Sequence, residues 1–151
     1  MNRLPIDAEE IILAMETHDP NVEHLLDRQT GEIVFLRDPG LGDVDEDTRE
    51  RVEADPERYL LIAPASSAEG WRVMREFVDQ LPVGEARERL EAALHRGSPF
   101  RRFKETMFGY PPVRQEWFRY HEQVLLEIAR ARLETEGIEP DWQTRQNGGT
   151  G

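Results

Sequence analysis

The sequence predicts an α+β fold: an N-terminal helix, a small three-stranded antiparallel sheet (a hairpin plus one strand) and a C-terminal set of about four helices. Three observations predict it. Two short apolar runs, 22–26 and 32–36, flank the turn-forming stretch Asp27-Arg28-Gln29-Thr30-Gly31, and sequential strands so joined pair antiparallel. From residue 66 onward the apolar residues change to a spacing of three and four, the helical period. Leu, Ile, Val and Phe make 36 of the 151 residues, above the roughly one-fifth below which a highly charged chain stays disordered.

Each element has its own signals. Asp7 followed by Glu10 reads as a capping box, with Ile6 and Ile11 placed to staple the helix start. Ile11, Ile12, Leu13 and Met15 mark its apolar face, and Asp19-Pro20 is its stop. In the hairpin, Gly31 supplies the positive φ that a tight loop requires. Asp47 and Glu50 form a second box, predicting a short helix over 48–54 that Asp55-Pro56 breaks. The run 58–63, closed by Pro64, is the third strand. Ser66 and Glu69 form a third box, opening a helix with Trp71, Met74, Phe77, Val78 and Leu81 inward. Ala86, Leu90, Ala93 and Leu94 mark the next helix, and Gly97 its stop. Ser98 as N-cap with Pro99 at N1 opens another. The last runs over 113–136, with Trp117, Tyr120, Val124, Leu125, Ile128 and Leu133 inward and Gly137 as its cap. One domain is expected over 1–138, then a disordered polar, Gly-rich tail over 139–151 that holds Trp142.

Composition excludes several chemistries. There is no cysteine, hence no disulfide scaffold, thiolate zinc site, iron–sulfur centre or thiol nucleophile. No apolar run reaches the roughly 18 residues of a membrane helix. The first residues carry neither apolar core nor cleavage site, so a cytoplasmic location is expected. Net charge is −12, and residues 1–63 alone carry −11. That half would repel a phosphate backbone, which argues against general duplex binding.

Motifs for catalysis do not assemble. Asp43, Asp45 and Asp47 suggest a cation loop, but an EF-hand needs Gly and Glu where Thr48 and Ala54 stand. A solvated acidic run beside a helix start explains them, with a looser metal site as the alternative. Gly40-Leu41-Gly42 lacks the third glycine of a phosphate-cradling turn. His18, His24, His95 and His121 have no metal-binding spacing, and His121 reads as a helix-packing residue. No cofactor is expected.

One segment, 95–104, contrasts with the rest. His95-Arg96-Gly97-Ser98-Pro99-Phe100-Arg101-Arg102-Phe103-Lys104 holds four positive charges and no acid. Seven of the twelve aromatics lie between Phe100 and Tyr120. Arg96, Phe100, Arg101, Arg102, Phe103 and Lys104 are therefore the candidate partner- or anion-binding residues. Ser98 as N-cap would put Arg101 and Arg102 at N3 and N4, against the helix dipole, so an anion in front of them is favoured. The protein's own acidic half is the first source of that anion. Phe100, Phe103 and Met107 also read as core at helical spacing.

An ordered set of local motifs carries a resemblance. It comprises the Leu26–Ile33 hairpin, Asp55-Pro56-Glu57-Arg58-Tyr59, Gly70-Trp71-Arg72-Val73-Met74, Ser98-Pro99-Phe100-Arg101-Arg102-Phe103-Lys104 and Trp117-Phe118. Over residues 6–138 the chain resembles an uncharacterised family of small bacterial proteins. The resemblance implies a bacterial source and brings no activity, cofactor or catalytic residue. The function expected is a non-enzymatic cytoplasmic binding or regulatory module acting through protein–protein contact. RNA or other anion binding through 95–104 is the first alternative. A carboxylate-dependent, metal-assisted enzyme is the second.

Overall fold

The structure is a computed structural model and describes residues 1–37 and 46–144. Its elements, in order, are β1 (Asn2–Asp7), α1 (Ala8–Glu16), β2 (Val22–Asp27), β3 (Ile33–Arg37), α2 (Glu46–Ala54), β4 (Tyr59–Leu61), α3 (Ser67–Gln80), α4 (Glu85–Leu94), α5 (Pro99–Met107), α6 (Pro111–Thr135) and β5 (Ile138–Gln143). A single 3-10 turn, Pro56–Arg58, precedes β4. The described residues fall into two compact units, one of 1–64 with 125–144 and one of 65–124.

In the first unit β2 is the central strand of an antiparallel sheet ordered β3-β2-β4. Register pairs His24 with Phe35, and Leu25 with both Val34 and Leu61. Leu25, Val34, Leu36 and Tyr59 form one buried cluster, and Val52 of α2 packs on it. The hairpin turns as its sequence requires: Gly31 has φ +85°, its N–H donates to the Asp27 carbonyl, and an added Cβ would collide with the Pro5 carbonyl oxygen. Asp7 caps α1, accepting from the Glu10 N–H at 3.1 Å. The helix stops at Glu16, short of Asp19-Pro20, and Leu13 lies exposed rather than on the apolar face. The second short helix begins at Glu46, so Asp47 is inside its first turn and not its cap.

Two elements differ from expectation. β1 and β5 form a separate parallel pair, with Asn2 opposite Ile138 and Asp7 opposite Gln143. Leu4, Ile6, Ile138 and Pro140 are its buried residues. The disordered tail expected from 139 therefore does not begin there: residues 139–143 are strand, and Trp142 is half-buried with the Arg130 guanidinium 5.9 Å from its ring centre. The end of the expected tail, 145–151, lies outside the described residues.

The second unit is helical. Ser66 and Glu69 form the expected reciprocal capping box of α3. Its core is aromatic: Trp117 meets Phe77 edge-on at 5.3 Å and Phe103 at 5.0 Å, and His121 stacks on it at 4.8 Å. Trp71 donates its indole N–H to the Leu94 carbonyl.

Candidate functional site

Helix α5 divides the six candidate residues. Its nine residues place Phe103 and Met107 on one side, where both are buried. Phe103 is fully buried against Trp117, so it belongs to the core and to no exposed surface. On a second side, Arg102 and Arg96 line an open groove of about 670 Å³ with Arg89, Glu85, Glu105 and Tyr110. Arg89 is engaged by Glu85 at 3.1 Å. Phe100, Arg101 and Lys104 lie on the third side, all exposed.

The start of α5 departs from the sequence reading. Ser98 adopts the left-handed conformation, φ 57° and ψ 56°, and its hydroxyl caps nothing. The extended backbone that a capping Ser requires is absent. Instead the Arg102 guanidinium folds back to donate Nε–H to the Gly97 carbonyl at 2.7 Å. Part of the charge expected to strain the dipole is thus engaged by a local carbonyl. Within this unit, among the described residues, Arg96, Arg101, Arg102 and Lys104 form no ion pair.

The exposed side continues beyond residue 104. Phe100, Lys104 and Phe108 recur every fourth residue, which sets them along one face of a helix. The ring of Phe100 rests near Gly70 of α3, where a Cβ would stand 3.0 Å from it. The turn after α5 brings Arg114 of α6 over Phe108, 4.7 Å from guanidinium carbon to ring centre, and Arg114 also lies 5.3 Å from the Phe118 ring. Phe100, Phe108 and Phe118 remain 40%, 65% and 48% exposed. Lys104 is near enough to His121 that its charge, after burial, lowers the His121 pKa.

Sequence reasoning did not include Phe108, Arg114 and Phe118, which the structure sets on the same exposed face as Phe100 and Lys104. The available signal was that Arg114 and Phe118 are four apart on α6 and absent from its inward set, but a single outward aromatic is ordinary and marks nothing until it joins a patch.

The chain belongs to the uncharacterised protein family UPF0158. Its family model matches residues 1–144. The chain is also 32% identical over 144 residues to the UPF0158 protein PA5073 of Pseudomonas aeruginosa, covering 93% of this chain and 88% of that one. No solved structure matches it.

In this UPF0158 chain one carboxyl group with a clearly perturbed titration is Asp27, which is 1% exposed. The Arg58 hydrogen bonds dominate in holding its pKa at about 2. Both oxygens are occupied, by Arg58 and by the backbone N–H groups of Gln29 and Thr30. It clamps the hairpin loop to the start of β4. Perturbed carboxyl groups often mark active sites, but this one has no reach left for a substrate. Of the acidic run, Asp47 lies exposed in the first turn of α2, and Asp43 and Asp45 lie outside the described residues. Among the described residues no three His, Asp or Glu side chains converge as metal ligands. No described helix is long and apolar enough to cross a membrane.

Proposed function

We propose that the chain is a non-enzymatic cytoplasmic binding or regulatory module that acts through contact with another protein, at the exposed face of α5 and the start of α6. One observation carries the reading: Phe100, Phe108 and Phe118 stand open to solvent among cations that have no ion pair within their own unit. Phenylalanine and arginine are enriched in protein interfaces, and arginine is among the residues that dominate their energy. An open set of three phenylalanines is unfavourable in water unless something covers it.

The test is site-specific photo-crosslinking in living cells. A photoreactive residue in place of Lys104 should give a discrete protein adduct, and the same residue in place of exposed Arg72 on α3 should not. The adduct should vanish when Phe118→Ser is added. Adducts with RNA alone, or none at position 104, would refute contact with a protein.

A further inference from the structure

The strongest feature of this face is the state of Arg114. Its guanidinium lies over two aromatic rings, an arrangement that favours the cation and restricts its rotation. Its backbone N–H is bonded to the Tyr110 carbonyl. Its side chain makes no hydrogen bond or ion pair among the described residues. The ring contacts take up no N–H by a hydrogen bond to an acceptor, and a guanidinium N–H edge matches a carboxylate with two parallel hydrogen bonds. Ordering a long side chain on binding normally costs affinity. Here two rings already hold contacts with it, which reduces that cost.

We infer that Arg114 is the fork that receives a carboxylate of the partner, and that the partner presents an acidic segment with apolar residues between its acids. This rests on the proposed protein contact and names its chemistry. Charge supports it. Residues 92–121 hold six basic and two acidic residues, a net of +4 in a chain of −12. A few carboxylates are drawn to such a patch. A phosphate backbone gains affinity by neutralising many phosphates, and here it would meet only Arg101, Lys104, Arg114 and Arg119, interrupted by Glu116. The apolar residues of the segment would cover Phe100, Phe108 and Phe118, which carboxylates alone would leave wet.

The experiment follows the Arg114 side-chain Nε–H by NMR in the intact, nitrogen-labelled chain. The probes are a short peptide of alternating Glu and Leu, its Gln and Leu counterpart, and oligouridylate. The acidic peptide should shift the Arg114 signal saturably, and added salt should weaken the effect. The Gln peptide should not move it. Arg114→Lys keeps the charge but loses the fork, and should weaken binding by about tenfold as read from the backbone signals of residues around Phe118. Equal response to both peptides, unchanged binding by Arg114→Lys, or tighter binding of oligouridylate through the same signals would overturn the inference. Failure of the acidic peptide while the position-104 adduct forms and depends on Phe118 removes the acidic chemistry and leaves the docking face. Failure of both removes the docking face as well.

Discussion

Replacing Asp27 with asparagine should destabilise the chain strongly at neutral pH and by about 1 kcal/mol less at pH 3. Asp27 accepts from Arg58 Nε at 2.9 Å and Arg58 Nη2 at 2.8 Å, and from the N–H groups of Gln29 and Thr30. These hold its pKa at about 2, against an ordinary 3.8. At about 1.4 kcal/mol for each tenfold change in proton affinity, ionisation of this one group carries about 2 kcal/mol of folding free energy. The folded state binds the proton less tightly than the unfolded state. The contribution is therefore complete above 3.8 and is lost as pH falls towards about 2. Roughly half should survive at pH 3. The substituted amide retains an oxygen for the two backbone donors but leaves Arg58 without its anion, so the full cost at pH 7 should be about 3 kcal/mol. The assay is urea unfolding of both chains from pH 7 down to pH 3, and the quantity is the stability gap between them. Other carboxyl groups titrate in both chains and cancel. A gap that stays constant over that range would refute the assignment of Asp27 as an ionised clamp.

Three further outcomes are expected. Gly31→Val should cost about 2 kcal/mol or more in urea unfolding, because a left-handed β-branched residue is strained and its Cβ would meet the Pro5 carbonyl; an unchanged melting temperature contradicts this. Ile138→Ala should cost about 2–5 kcal/mol if β5 is docked through this residue, which is only 2% exposed, and a loss near zero would return 138–143 to the status of a tail. His121 should titrate below 6.5, and Lys104→Gln should raise its midpoint, since burial and then the Lys104 charge lower it. The sign is that the unfolded chain binds this proton more tightly, so the histidine weakens the fold as pH drops below 6.5. A midpoint indifferent to Lys104 would separate the two side chains.

Local chemistry was legible in the sequence wherever one segment decided its own conformation. The Ser66–Glu69 box and the Gly31 turn need only neighbours, and both form as read. β1 and β5 were hidden because Arg3 and Pro5 interrupt one and Pro140 and Asp141 the other, so neither shows a strand composition. The alternation of Leu4 with Ile6, and of Ile138 with Pro140, was the available signal, but parallel pairing across most of the chain has no turn to announce it. Ser98 misled because a capping residue is recognised by type, whereas its φ is set by how α4 and α5 connect. Of the candidate site, the charge and aromatic content of 95–104 singled out α5, the helix on which the proposal rests. Which side of α5 each residue occupies, and that Arg114 leans on Phe108, depends on packing that spacing within 95–104 does not contain.

The β1–β5 pairing fixes an order of events during synthesis. Residues 65–124 are contiguous, so everything their unit requires is present well before the last strand is made. β1 is made long before its partner, which begins at Ile138. At roughly 5–20 residues per second, that leaves β1 unpaired for about 7 to 26 seconds. An apolar strand waiting so long in a crowded cell is an invitation to pair with the wrong chain. Pro5 removes one N–H from that strand, and Arg3 adds a charge to it. The two residues that conceal β1 from a reader of the sequence are the same two that make it a poor template for strangers while it waits.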